Sequence, residues 1–163
     1  MSGRQFSMPY QIPPVALLPP AADAAGRTSG FHTLKNAMKA YVIAHVNQGN
    51  AAPVTISLLQ GQDVSGTGSK AVTANMPIWA VADTSLADAL IAQAAAANFV
   101  TSATLKDKLV VFEILPEAVL DIANGFTSIA VQTSASNAAN ITEAKLFVLE
   151  SYQGASQPST MVN

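Results

Sequence analysis

Alternating apolar and polar residues along most of the chain predict β-strands. In Val54–Gln60, Val54, Ile56 and Leu58 fall on one face, while Thr55 and Ser57 fall on the other, which is the two-residue period of a strand. Five further runs are rich in β-formers and are separated by segments that contain Gly, Asn or Pro: Met38–Gln48, Val72–Ala82, Lys108–Ile114, Thr127–Ser134 and Ile141–Tyr152. This spacing predicts an all-β fold, an antiparallel β-sandwich of jelly-roll type.

The run Leu109–Ile114 carries large apolar residues on both faces. Leu109 and Val111 point one way, and Val110, Phe112 and Ile114 point the other. A strand with one wet face would leave several of these side chains in water. We therefore expect a central strand that is covered on both sides, or one face in a subunit contact.

Two segments carry helical signals. Pro116 suits a first helical position and Asn124-Gly125 suits a stop, so a short helical crossover is predicted between them. Ser85–Asn98 is alanine-rich and has helix propensity. Its neighbours are strands, however, and this context favours a strand that spans Asp88–Ala95. Helix and strand both remain open there.

The N-terminal part differs from the rest of the chain because five of the nine prolines lie in the first twenty residues. Proline fixes φ and removes a hydrogen-bond donor, so residues 1–30 are predicted to form an extended arm. A β-sandwich over 31–153 and a C-terminal tail over 154–163 complete the predicted organisation. Seven apolar arm residues need cover, either on their own domain or on a neighbouring subunit, and are candidate partner-binding residues: Phe6, Met8, Tyr10, Ile12, Val15, Leu17 and Leu18.

Charge is scarce in this sequence. Only 11% of the 163 residues are charged and the formal net charge is −2, whereas roughly 25% are charged in ordinary soluble domains. A surface this poor in charge is better suited to contact with other proteins than to standing alone in water. No basic face is available for nucleic acid, and no stretch of about 20 apolar residues indicates a membrane span.

The strongest resemblance to a chemical motif lies in Gly61–Lys70, which reads GQDVSGTGSK. Gly61 and Gly66 have the spacing of a phosphate-binding loop, but Thr67 stands where that motif requires lysine. Strands are predicted on both sides, so the segment is interpreted as a hairpin turn. The two histidines, His32 and His45, have no metal-binding spacing. We expect no enzyme, no catalytic residue, no metal and no cofactor.

The C-terminal third resembles small structural proteins of tailed bacteriophages. The resemblance rests on an apolar strand ending in Glu-Ile (KLVVFEI), the turn LDIANGF, the small-residue loop ASNAAN and a last strand before a tyrosine, all within Lys108–Gln153. The earlier hairpin Val54–Val72 fits the same pattern. The alanine-rich AQAAAANF departs from the Thr- and Ser-rich strand expected there, and the proline-rich arm lies outside the shared pattern.

The resemblance implies a virion component, a decoration or cement protein on the capsid surface, assembled in the host cytoplasm. Such a protein bridges neighbouring subunits of the major capsid protein and pairs with itself as a dimer or trimer. The alternative is a tail, fibre or adhesin module that binds a glycan on the host surface. For that role exposed aromatics are expected, and the single tryptophan, Trp79, is predicted to lie in the core or in an interface instead.

Overall fold

The computed structural model describes residues 6–151 and 158–162. Twelve strands and two helical turns are present in these ranges, in the order α1 (Met8–Gln11), β1 (Val15–Ala22), β2 (Arg27–Thr28), β3 (His32–Thr33), β4 (Ala37–Gln48), β5 (Thr55–Gly61), β6 (Lys70–Ala71), β7 (Ile78–Val81), β8 (Ile91–Ala92), β9 (Asn98–Val100), β10 (Asp107–Ile114), α2 (Pro116–Val119), β11 (Ser128–Thr133) and β12 (Asn140–Glu150). A 3-10 turn over Ile122–Asn124 follows α2. The all-β prediction is confirmed.

The strands form two antiparallel sheets that pack as a sandwich. The first sheet has the order β1-β12-β4-β10-β7-β8, and the second has β2-β11-β5-β6, with β3 also paired to β11 and β9 to β5. The two longest strands, β4 and β12, pair along nearly their full length, from Asn140 opposite Gln48 to Glu150 opposite Ala37. This long central pair sets the register of the first sheet.

The core lies between the two sheets and is built by alternation. Val54, Ile56 and Leu58 are all fully buried, as their spacing predicts. They meet side chains of the first sheet that are also fully buried: Val42, Ala44 and Val46 of β4, Val110, Phe112 and Ile114 of β10, and Ala144 and Leu146 of β12. β10 lies between β4 and β7, which confirms its central position in the sheet. Its inner face is fully buried, whereas on its outer face Val111 is buried and Leu109 is only half-buried.

The prediction that residues 1–30 form an arm outside the fold is wrong from Val15 onward, and residues 1–5 of that arm lie outside the described residues. Val15–Ala22 is an edge strand of the first sheet, paired with β12 from Val15 opposite Leu146 to Ala22 opposite Ile141. Leu17 and Leu18 are 6% and 5% exposed and belong to the core. Proline is tolerated at a sheet edge, and the register shifts between Ala16 and Ala21 accommodate Pro19 and Pro20.

A buried polar cluster fixes the turn after β1. The fully buried Asp23 carboxylate accepts hydrogen bonds from the hydroxyls of Thr133 (2.9 Å) and Thr142 (2.5 Å), which belong to opposite sheets. Arg27 Nε donates to the same carboxylate at 3.2 Å, and the other guanidinium nitrogens donate to the carbonyls of Pro19 and Thr142. The bonds from Thr133 and Thr142 join the two sheets at Asp23, and the bond from Arg27 to the Pro19 carbonyl joins β1 to the same cluster.

The C-terminal tail is also anchored to the sandwich. Thr160 is buried, its carbonyl accepts a hydrogen bond from the Thr33 N–H at 2.8 Å, and its hydroxyl lies 3.1 Å from His32 Nδ1. Residues 158–162 therefore pack beside β3 instead of leaving the domain. The predicted end of the last strand at Tyr152 lies outside the described residues.

The structure shows the conformation of both segments that carry helical signals. Pro116 starts the helical turn α2, and Gly125, with φ of +81°, closes the 3-10 turn after Asn124, so the predicted crossover is confirmed. Residues 88–95 form no helix; Ile91–Ala92 is a two-residue strand paired with β7, and the flanking residues are outside the sheet ladders. The strand interpretation of Asp88–Ala95 is thus correct only at its centre.

Candidate interaction surface

The outer face of the first sheet, turned away from the core, carries a set of apolar side chains. On β4 the residues Tyr41, Ile43 and His45 alternate with fully buried Val42 and Ala44. Register places Phe147 opposite Tyr41, and Val111 opposite both Ile43 and Trp79. Side chains directly opposite on antiparallel strands lie in contact. The outer patch is defined as Tyr41, Ile43, Trp79, Leu109, Val111 and Phe147; Trp79 is exposed, Val111 is buried beneath its neighbours at 7%, and the others are half-buried.

The outer patch has a polar border. Lys39 Nζ lies 2.5 Å from Glu113 Oε1, and Lys145 Nζ lies 3.4 Å from Glu143 Oε1. The hydrogen bond to Glu113 raises the pKa of Lys39. Both lysines are paired with a carboxylate on the same face, so these charges add nothing to its net charge. An apolar centre with a polar rim is the usual anatomy of a protein–protein contact.

The second component is the ribbon, defined as Thr84–Ala95. All twelve of its residues are exposed, including Leu86 at 82% and Ile91 at 63%. Asp88 is the one charged residue among them. A contiguous exposed apolar segment of this kind marks a site of protein contact. Sequence reasoning missed this exposure, although the low charge and the alanine content of the segment were visible.

Both ends of the ribbon are held by hydrogen bonds. At the start, the Asp83 carboxylate accepts from the Ser85 hydroxyl at 2.5 Å and from its N–H at 3.0 Å. Lys106 Nζ lies 2.9 Å from the same carboxylate. The Ser85 hydroxyl, then Lys106, lower the pKa of Asp83 to about 2, so it is ionised at neutral pH. At the far end the Gln93 N–H donates to the Ile78 carbonyl at 2.8 Å.

The outer patch and the ribbon adjoin through β7 and β8. Trp79, which is 36% exposed, lies opposite Ala92, and Ala80 lies opposite Ile91. Trp79 therefore belongs to an exposed face of the sheet, and the part of its prediction that placed it in the core is wrong. Together the outer patch and the ribbon form one weakly charged apolar surface along one side of the domain.

A cavity of about 330 Å³ lies beneath the ribbon. Its walls include Val81, Ile91, Phe99, Val110 and Lys108. The Lys108 ammonium is buried and donates to Gln48 Oε1 at 3.1 Å and to the carbonyls of Thr104 and Lys106. Burial lowers its pKa. All three N–H groups of this ammonium have acceptors in the protein, so Lys108 braces this end of the sandwich.

The seven arm residues predicted to bind a partner divide into two groups. Phe6, Met8 and Tyr10 are 69%, 42% and 67% exposed around α1, and α1 buries none of its residues. Ile12 and Val15 are partly buried, and Leu17 and Leu18 are in the core. The structure therefore leaves Phe6, Met8 and Tyr10 as the exposed members of the predicted set, in the segment that precedes the edge strand β1.

The loop Gly61–Lys70 closes a hairpin, as predicted. β5 pairs with β6 through Leu59 opposite Ala71 and Gln60 opposite Lys70. Inside the loop Asp63 accepts from the Thr67 hydroxyl at 2.6 Å, which lowers the pKa of Asp63. Lys70 Nζ lies 2.6 Å from Asp121 Oδ2 and 4.2 Å from the Phe126 ring centre. Lys70, the last residue of the sequence that resembles a phosphate-binding loop, therefore pairs with a residue beside the 3-10 turn.

The remaining candidate features are a metal-binding cluster, a membrane span and a glycosylation-like sequence. Within residues 6–151 and 158–162, no three His, Asp or Glu side chains are grouped to hold a metal ion. In the same ranges, no helix is long and apolar enough to cross a membrane. Asn140, in the glycosylation-like sequence Asn-Ile-Thr, is fully buried and donates to the Ala52 carbonyl at 2.8 Å and to Ser136 Oγ at 2.9 Å.

Comparison with known proteins identifies no family for this chain. No family model matches it, and no curated protein matches it. Among solved structures it is similar to the SPBc2 prophage-derived protein YomS, with 7% identity, a TM-score of 0.44 and coverage of 83% of this chain and 90% of that one. It is also similar to a "putative sugar binding protein" from Bacteroides thetaiotaomicron, with 10% identity, a TM-score of 0.29 and coverage of 76% and 65%. At these TM-scores neither structure assigns a function or a partner to this chain.

Proposed function

We propose that this protein is a structural component of a phage virion, which decorates the capsid and cements it by bridging neighbouring major capsid subunits. The observation that carries the proposal is the continuous apolar surface made by the outer patch and the ribbon. A protein that acts by contact alone requires area and rigidity, and a two-sheet core with long central strands supplies rigidity. The sequence resemblance of Lys108–Gln153 to phage structural proteins supplies the virion context.

The physical role of such a protein is to add contacts that the shell lacks. Burying apolar surface contributes roughly 25 cal/mol per Å² removed from water. A weakly charged apolar surface that spans two shell subunits therefore holds them together as packaged DNA raises the internal pressure. The paired charges at Lys39–Glu113 and Glu143–Lys145 lie at the rim, where they restrict orientation without burying an unpaired charge.

Binding to empty shells assembled from a phage major capsid protein, with the capsid protein of the chain's own source phage as the first choice, tests the proposal. We expect saturable co-sedimentation with shells, and decorated shells that withstand heating better than bare ones. Trp79→Glu and Leu86→Glu, which place a charge in the outer patch and in the ribbon, are expected to lower occupancy at least tenfold. Ser69→Glu is the matched control because Ser69 is exposed on the Gly-rich loop of the second sheet.

Two results would contradict the proposal. One is a folded protein that does not bind shells at all; the other is binding that Trp79→Glu and Leu86→Glu leave unchanged. Binding to whole host cells that free saccharides inhibit would instead support the alternative, a tail, fibre or adhesin module that recognises a surface glycan.

A further inference from the structure

The C-terminal tail is attached to the sandwich through one buried residue. Of residues 158–162, Thr160 is buried at 6% exposure and the other four are exposed. The Thr160 carbonyl accepts a hydrogen bond from the Thr33 N–H at 2.8 Å, and its hydroxyl lies 3.1 Å from His32 Nδ1. Both contacts go to the two residues of β3, so the docking of this segment depends on one short strand.

β3 lies at an edge of the second sheet, and the tail covers that edge. On one side β3 pairs with β11, where His32 lies opposite Ile129 and Thr33 lies opposite Ser128. The Thr33 N–H points the other way, to the Thr160 carbonyl. Residues 158–162 therefore occupy the place of a next strand, and covering an edge with another segment is one of the ways in which proteins protect it.

Within the described residues, no charged side chain forms a hydrogen bond or an ion pair with His32. In its row of the second sheet, Ile129 of β11 lies opposite His32 and Gln60 of β5 follows. β1, which also packs against β11, and residues 158–162 contain no charged residue. The nearest charged residues along the chain, which are bonded elsewhere or exposed, are Arg27 and Lys35.

Protonation of His32 is therefore unfavourable while the tail is docked. Burial lowers the pKa of His32, because a buried imidazolium loses its water and here gains no carboxylate in exchange. The Nδ1 atom faces the Thr160 hydroxyl, so departure of the tail gives this nitrogen access to water. The pKa of His32 then rises toward the ordinary histidine value of about 6.5.

We propose that residues 158–162 form a strap that detaches from β3 when His32 is protonated, while the sandwich stays folded. The docked state has the lower histidine pKa, so docking is strongest above about pH 6.5 and weakens as the pH falls, by up to about tenfold for each pH unit. Release uncovers the Thr33 N–H at the edge of the second sheet. The strap involves neither the outer patch nor the ribbon and so goes beyond the proposed function.

Hydrogen exchange of the Thr33 amide, measured by NMR on the full chain, reports the docking of the strap. After correction for the intrinsic effect of pH on exchange, its protection is expected to fall at least twofold from pH 7.5 to pH 5. The Leu34 amide, which donates to the Thr127 carbonyl at 2.7 Å, is expected to be better protected at both pH values, since release leaves β3 paired with β11. Equal protection of the two amides would show that the tail leaves only when the domain unfolds, and would overturn the proposal.

The two histidines of the chain supply a variant and its matched control. Histidine is the side chain that ordinarily changes charge between pH 5 and 8, and His45 lies on β4 in the other sheet. His32→Gln is expected to remove the dependence of Thr33 protection on pH, and His45→Gln is expected to keep it. Dependence that survives His32→Gln, or that disappears in His45→Gln, overturns the proposal.

A change in the tail keeps the test decisive if His32→Gln fails to fold. If protonation releases the strap, loss of the strap must make protonation easier, because the two equilibria are linked. Thr160→Gly removes the buried anchor, and the pKa of His32, followed by NMR of its ring, is expected to rise toward about 6.5. Met161→Gly is the matched control because Met161 is 69% exposed, and it is expected to leave the titration of His32 as in the wild type. An unchanged titration of His32 in Thr160→Gly overturns the proposal.

Discussion

Val15–Ala22 and Thr84–Ala95 show that local composition and final position are set by different forces. The first segment has two adjacent prolines and reads as a chain outside any sheet, yet it is an edge strand whose leucines enter the core. The second has the composition of a helix, yet it is an exposed ribbon. The difference lies in the side chains available for burial, because Leu17 and Leu18 bury far more apolar surface than a run of alanines does.

The largest expected effect comes from cutting the chain before or after β1. Deletion of residues 1–12 is expected to change the melting temperature by a few degrees at most, since α1 buries none of its residues. Deletion of residues 1–22 removes β1, exposes the edge of β12 and takes Leu17 and Leu18 from the core. Its product is expected to lose cooperative thermal unfolding, measured by circular dichroism. If both truncations melt alike, β1 does not contribute to the core as the structure indicates.

Single substitutions make the same comparison on a smaller scale. Leu18→Ala is expected to lower the free energy of unfolding by about 2–5 kcal/mol, as large-to-small changes in a packed core do. Leu86→Ala, the same change in the ribbon, is expected to cost less than about 0.5 kcal/mol because Leu86 is 82% exposed. Urea denaturation of the two variants measures both values. Equal losses would show that the ribbon is buried in the isolated chain.

The dependence of stability on pH tests the contact between His32 and the C-terminal tail. Burial lowers the pKa of His32, which lies against Thr160. A lowered histidine pKa means that protonation favours the unfolded chain, so stability is full above the unfolded pKa near 6.5 and is lost as the pH falls below it. The melting temperature of the wild type is expected to drop between pH 7 and 5 by more than that of His32→Gln.

Asp83, which holds the start of the ribbon, provides the internal control for that experiment. Asp83 has a pKa of about 2 and stays ionised over pH 7 to 5, so Asp83→Asn is expected to keep the wild-type dependence on pH in this window. A wild-type protein whose stability does not change between pH 7 and 5 would contradict the assignment of His32 as a buried, neutral group.

The smallest effect is expected in the Gly-rich hairpin loop. Lys70 contacts Asp121 and the Phe126 ring, but its side chain is about half exposed, and such ion pairs contribute about 0–1 kcal/mol. Lys70→Ala is therefore expected to leave the fold intact and lower the melting temperature only slightly. Millimolar ATP is expected not to raise it; a rise that is lost in Lys70→Ala would restore the phosphate interpretation.

The alternation of the sequence determined the sandwich. Val54, Ile56 and Leu58 point to one face by period alone, and the apolar residues on both faces of Leu109–Ile114 predicted a central strand there. Pro116 and Gly125 marked the ends of the helical crossover, because one residue has a fixed φ and the other adopts a positive φ at no steric cost. These features depend on near neighbours in the chain, so a single sequence contains them.

Strand pairing and exposure were decided only in the tertiary structure. β1 becomes a strand because β12, more than a hundred residues later, offers it an edge, and because Asp23 and Arg27 bind Thr133 and Thr142 of both sheets. The outer patch arises only when register places Tyr41, Val111 and Trp79 on the same face. The ribbon forms no helix because its start is held by Asp83 and Lys106 and its far end is bonded to β7 at Ile78. These constraints outweigh the small helix preference of each alanine.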